Sequence, residues 1–439
     1  MRKIIAILIL GILVLVGLGV NAFSIKNTNI VSASADEYDM VIIAPSMFSD
    51  ALQQLIVHKN SVGIQTFVKT TEEIYAGYDG RDEAEQIKYF IYESAKNLGI
   101  QYVLLIGDVG ITPIRKTEVN HIWSSGIIQV DDVITDLYYA DIYDSEGNFS
   151  SWDSNNDSIF SEFYLYNFGE TPEEIVVVDE IDLYPDIGVG RIPCTTVEEL
   201  EIVVNKIITY ETQLNDDWFH KIILAAQASQ GEMIADLIAD IFPDFTAVKL
   251  YESTRNLNAI SINRAINDGA GFFVCCAHGR HMAFANYHKS FVNGLHNNNK
   301  LPIVVFGGCL NVQLDASLHE LLKEFGLNRI DNFLQFFKID TKKLLSCIAW
   351  DFLRHDDGGS IASIGMTRKG TISSGDPLGE FVGFFASKYF ESYAPGVTLS
   401  QMYNNAITSF IDESWKDYAT LQMFILLGDP SLKIGGYPS

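Results

Sequence analysis

Positive charge is scarce in this chain. Thirty Lys and Arg residues stand against 56 Asp and Glu, for a formal net charge of −26. Binding a nucleic-acid backbone needs clustered cations, so a nucleic-acid partner is excluded. Internal repeats and low-complexity tracts are absent as well, which leaves neither a solenoid nor a disordered tail as a reading. Cysteine is sparse and odd in number: Cys194, Cys275, Cys276, Cys309 and Cys347 cannot all pair within one chain, so at least one thiol is left over. Cys275 and Cys276 are neighbours in an apolar run. In a strand they would face opposite ways and act as small core residues.

An uncharged apolar run occurs at Ile4–Val20, behind Arg2 and Lys3 and ahead of the small-residue site Val20-Asn21-Ala22. Residues 1–22 therefore read as a signal for export, with an uncleaved N-terminal anchor as the alternative. A second candidate cleavage site, Ala33-Ser34-Ala35, lies further on. Membrane contact is expected through that segment only, and the destination is secreted or cell-surface.

The rest of the chain is 48% apolar when counted with this segment, ample for a core. Strand-length apolar runs alternate with helical stripes: "DMVIIA" (39–44), "IQTFV" (64–68) and "YVLLIGD" (102–108), then "KIILAA" (221–226), "AVKLY" (247–251), "AGFFVCCA" (270–277), "PIVVFGG" (302–308) and "GSIASIG" (359–365). Continuous apolar strands separated by helices predict an α/β fold with largely parallel sheets. One peptidase-sized domain is expected over 38–437, with α/β subdomains at about 38–195 and 196–437. Thr196-Val197-Glu198-Glu199 reads as a capping box opening the second half. Between about Val109 and Pro185 the pattern weakens, which predicts a long insertion at the sheet's edge rather than more core.

Two of the buried runs end alike. "FFVCCAHGRH" delivers His278-Gly279, and 31 positions later "PIVVFGGCLN" delivers Cys309 after two glycines. Carboxyl ends of neighbouring parallel strands line the crevice where ligands bind, so the two endings would set an imidazole beside a thiol. A cysteine nucleophile needs that base, and the backbone amides of Gly279 and Cys309 could serve a developing oxyanion.

With this pair the sequence resembles the gingipain family of cysteine peptidases. "LLIGDVGITPI", "YPDIGVGRIPCTTVEELEIVVNKIITYE" and "FILLGDPSLKI" match the family's blocks in order along most of 39–435. The resemblance implies a caspase-like fold and an endopeptidase acting on proteins or peptides. It makes His278 the base and general acid, Cys309 the nucleophile, and the Gly279 and Cys309 amides the oxyanion hole. No cofactor is required for that chemistry. Ala277 replaces the glycine usual before the histidine. The family's imidazole-orienting carboxylate falls near Gln230, with Glu232 the alternative. A catalytically silent peptide-binding or envelope-assembly protein, or a transpeptidase on the same dyad, would use the same fold.

Two further features stand apart. "WDSNNDSIFSEF" spaces Asp153, Asn155 and Asp157 at alternate positions with Glu162 beyond, oxygen ligands that could hold a structural calcium ion, although the run lacks the glycine and the final acid of an EF-hand loop and a solvated acidic loop is the commoner outcome. Residues 315–343 predict a helical insertion, either extra core packing or a lid, with Phe333, Phe336 and Phe337 on one stripe. Asp236 and Asp240 fall on the outer face of a helix, and Arg368 with Lys369 follows a strand near the site. Together these point away from a preference for Arg or Lys before the scissile bond.

Overall fold

The computed structural model describes residues 37–123, 128–167, 172–213, 217–324, 327–341, 343–370, 381–413 and 418–437. The segment read as a signal or anchor lies outside them. Ten strands form one sheet: β1 (Met40–Ala44), β2 (Thr66–Thr70), β3 (Tyr102–Ile106), β4 (Gly188–Ile192), β5 (Lys221–Ala226), β6 (Thr246–Tyr251), β7 (Phe272–Cys276), β8 (Ile303–Phe306), β9 (Ala362–Met366) and β10 (Phe424–Leu427). Their order is β6-β5-β7-β8-β9-β10-β4-β3-β1-β2. All neighbours are parallel except β9 and β10, which pair antiparallel. The carboxyl ends of β6, β5, β7, β8 and β9 therefore share one edge of the sheet, and those of the other five share the opposite edge. Continuous apolar runs become strands because helices cover both faces; β1, β3, β7 and β8 are wholly buried.

The stretches that match the gingipain blocks hold the middle of this sheet together. Gly190 of β4 lies so close to the Gly428 carbonyl and Pro430 that a Cβ there would overlap both. Arg191, fully buried, forks onto Asp136 at 2.7 Å through both Nε and Nη2 and donates to the carbonyls of Gly107, Thr112 and Pro113. Asp429 of the closing block meets Lys59 Nζ at 2.6 Å, and Lys59 also meets both Glu211 oxygens at 2.9 Å. Burial opposes the Lys59 ammonium, but Asp429 and Glu211 outweigh it and raise its pKa. These blocks are buried polar joints between distant chain segments, which is why their residue types are so specific.

The region 109–185 departs from the expectation of a peripheral insertion. It builds a second sheet in which Arg115–Trp123 pairs antiparallel with Ile128–Thr135 and parallel with Phe163–Asn167, followed by Pro172–Val177. It also supplies core, because Tyr138, Tyr139, Val133, Ile134 and Trp152 are buried. Its strands mix polar and apolar residues, so neither period shows in the sequence. The hairpin reaches the β9 edge, where the Ile134 carbonyl accepts from Thr367 Oγ1 at 3.1 Å.

Candidate active site

His278 lies two residues beyond β7, and Cys309 three residues beyond β8. The parallel register pairs Cys275 with Phe306. His278 and Cys309 each lie three residues beyond that pair. Two glycines let the strand ends close up. A Cβ on Gly279 would overlap the Cys309 carbonyl oxygen, and one on Gly308 would lie 2.9 Å from both the Ala277 oxygen and the Gly279 Cα. Gly279→Ala and Gly308→Ala are therefore expected to push the two loops apart. Because displacements of about 1 Å at a reacting centre cost on the order of a hundredfold in rate, each should lose at least that in kcat/KM, read on any peptide the parent cleaves.

After His278 the chain folds into a small ribbon in which Gly279 pairs with Phe284 and Arg280 with Ala283. Ala285 N donates to the His278 carbonyl at 2.7 Å. Pairs in an antiparallel ladder alternate, so Gly279 occupies a non-hydrogen-bonded position and its N–H points away from its partner strand. Asn311 secures the turn after Cys309 by donating from Nδ2 to the Arg280 carbonyl at 2.8 Å and the Ala283 carbonyl at 2.9 Å. Leu310 is in the left-handed region (φ 61°) and donates its N–H to the Arg368 carbonyl. Asn311 was not singled out from sequence; its signal is the position two residues after Cys309.

Exposure separates the cysteines. Cys194, Cys275, Cys276 and Cys347 are buried free thiols, whereas Cys309 is half-buried, its Sγ 3.5 Å from the Gly370 carbonyl. Burial pushes the Cys276 and Cys347 thiols up to about 12. Exposure also separates His278 from its neighbour in "HGRH". His278 is exposed, while His281 is buried, and burial together with the Lys289 ammonium pushes its pKa down to about 4.

Gln230 sits in the first turn of the helix Ala228–Ile241, where its Oε1 accepts from Ser229 Oγ at 3.2 Å. Glu232 accepts from Ser253 N at 2.9 Å. Among the described residues neither is hydrogen-bonded to His278. A carboxylate that sequence reasoning passed over, Glu252, lies just beyond β6 at the same sheet edge and accepts from Gln227 Nε2 and Ala228 N. Its signal was its place at the end of an apolar strand, in "KLYES". Asp236 is exposed as expected and is held by Lys249 Nζ and Tyr251 OH, each at 2.7 Å. Arg368 is not the free cation anticipated: it forks onto Asp315 at 2.9 and 2.7 Å and reaches the Asp132 carbonyl.

The acidic loop closes on itself. Asp153 is buried, ion-paired with Arg81 and bonded by the amides of Asp157 and Ser158; Asn155 and Asp157 bond each other, and Glu162 takes the Tyr164 hydroxyl. Among the described residues no group of three His, Cys, Asp or Glu is placed to hold a metal ion. A cleft of about 490 Å³ lined by Asp108, Leu314, Leu318, Cys347, Trp350 and Arg354 includes neither His278 nor Cys309.

The profile of peptidase family C25 matches residues 33–435. The chain belongs to peptidase family C25. Gingipain R2 of Porphyromonas gingivalis is 22% identical over 288 residues, covering 62% of this chain and 32% of that protein. The chain thus spans about a third of the length of such curated relatives. An uncharacterised Archaeoglobus fulgidus protein is 22% identical over 377 residues, 79% of this chain and 78% of its own. The crystal structure of the Arg-specific cysteine proteinase gingipain R superimposes with a TM-score of 0.63 at 18% identity, over 91% of this chain and 79% of that one. The complex of the pro- and mature domains of Porphyromonas gingivalis RgpB gives 0.62 at 20% identity, over 90% and 79%. These likenesses establish the caspase-like α/β fold of the gingipains. The C25 assignment makes the chain a member of a cysteine peptidase family.

Proposed function

We propose that this C25 member is an exported cysteine endopeptidase working through a Cys309–His278 dyad. The observation that carries the reading is the contact of the two strand ends through Gly279 and Gly308, which holds one half-buried thiol and one exposed imidazole at the same sheet edge. In the proposed reaction Cys309 Sγ attacks the peptide carbonyl carbon as its proton passes to His278. The oxyanion accepts from the Gly279 and Cys309 amides. Collapse breaks the C–N bond, His278 gives its proton to the leaving amine, and the acyl group stays on sulfur. Water, deprotonated by His278, then attacks the thioester and returns Sγ with a free acid as product. Export rests on Arg2, Lys3 and the Ile4–Val20 run.

The substrate is proposed to lack Arg or Lys before the scissile bond. Asp236 is already bonded to Lys249 and Tyr251, and Asp315 to Arg368, so neither carboxylate is free to offset the desolvation of an incoming cation. Incubation with a mixed peptide library tests both statements. Cleavage yielding new C-termini of acidic, polar or small residues is expected. Absence of any cleavage by folded protein would sink the peptidase, and products dominated by C-terminal Arg or Lys would sink the specificity.

A further inference from the structure

The insertion after the nucleophile comprises the helices Leu318–Glu324 and Asn328–Phe336. Its foot is fixed: Leu345 N donates to the Ala316 carbonyl at 2.8 Å, His319 N to the Thr341 carbonyl at 2.7 Å, and Asp315 is clamped by Arg368. The expectation of extra core packing fails for its second helix, which is turned inside out. Asp331, only 4% exposed, faces inward and accepts from Gln335 Nε2 while pairing with the His319 ring, both at 2.8 Å. Ile330, Phe333, Phe336, Phe337 and Ile339 face outward, with Phe336 81% exposed and Phe333 and Phe337 each 60%. The rings cluster, Phe333 and Phe336 standing 4.8 and 5.4 Å from Phe337 between centroids.

A contiguous apolar cluster held out by a polar contact on its inner side is a docking surface. We propose that it docks on an anionic lipid surface. Arg329 and Lys338 flank the rings in sequence and are exposed, as is Lys343 where the insertion ends, and across the described residues 327–341 and 343 one carboxylate, Asp340, is exposed. This is a local excess of positive charge in a chain of net charge −26. Aromatic side chains on one side and basic residues at the rim are what an interfacial helix needs to enter the headgroup region. The apolar run Ile4–Val20, retained or removed, also brings the chain to a bilayer during export. Because residues 309–315 lead straight from the nucleophile into the insertion, docking holds the Cys309 edge near the membrane. On the peptidase reading, that favours substrates displayed close to the bilayer.

Docking is separable from catalysis, so the test uses the full chain carrying Cys309→Ala. Sedimentation with vesicles of phosphatidylcholine plus phosphatidylglycerol compares it with the same chain carrying Phe333→Ser, Phe336→Ser and Phe337→Ser. The triple variant is expected to partition more than about tenfold less strongly, with an unchanged melt because the rings are exposed. Arg329→Glu with Lys338→Glu should weaken binding to these vesicles and leave binding to pure phosphatidylcholine as it was. Should the triple variant unfold, Phe336→Ser alone is read for the same loss. Equal partition of parent and variant would show that the N-terminal run alone binds lipid and overturn the proposal. So would a lipid-free dimer that the Phe substitutions disperse, which assigns the surface to a second copy.

Discussion

Replacing Cys309 by alanine lowers peptide hydrolysis by more than about a thousandfold, and replacing His278 by alanine does nearly the same, since members of one catalytic unit fail together. Both variants keep the parent's melting temperature, because His278 is exposed and Cys309 half-buried at the rim of the sheet rather than in its core. Cys275→Ala reverses the pattern. Its thiol is fully buried in β7, so the substitution lowers stability and leaves turnover per folded molecule intact. Steady-state rates beside thermal melts read all three. Full activity in Cys309→Ala would remove the dyad.

The second large effect is on stability and lies far from the site. Lys59→Met is expected to destabilise the fold by about 3–5 kcal/mol, because it strands the buried carboxylates of Glu211 and Asp429 without their cation. The pH dependence of the parent follows from the same joint. Burial opposes ionisation of Glu211, but Lys59 and His58 hold its pKa below the usual value. A depressed folded pKa gives stability that is fully present above the unfolded value, about 4.3, and lost as pH falls through the folded pKa. The raised pKa of Lys59 gives stability that is fully present below about 10.4 and lost as pH rises through the folded value. The joint's contribution is thus flat between about pH 5 and 10, and denaturant titrations across that range check it. A Lys59→Met chain with the parent's denaturation midpoint would mean that the joint contributes nothing.

What the sequence made legible is what periodicity and strand endings encode. β7 and β8 read as continuous apolar runs, and the His278-Gly279 and Gly308-Cys309 that follow them marked the candidate site. The helix Val197–Thr212 begins where Thr196 predicted, with the Thr196 hydroxyl accepting from Glu199 N. The reciprocal half of that box is displaced: the Glu199 carboxylate takes the amide of Thr195 and the guanidinium of Arg354 instead. Partnerships across long separations left no trace. Arg81 with Asp153, Arg368 with Asp315 and Lys59 with Glu211 and Asp429 join residues whose spacing follows no period. For that reason the pairing of Asp153 with Arg81 and of Arg368 with Asp315 could not be read from the residues alone. β10 was legible only as a family block; that it is the strand joining the two parallel halves depends on pairing, which a single sequence does not display.

Labelling the intact folded chain with a peptidyl electrophile and locating the adduct by mass spectrometry tests the central claim most directly. The account predicts one adduct, on Cys309, with Cys194, Cys275, Cys276 and Cys347 unmodified, and labelling slowed strongly in His278→Ala. An adduct on another cysteine, or labelling that persists in Cys309→Ala, would contradict it.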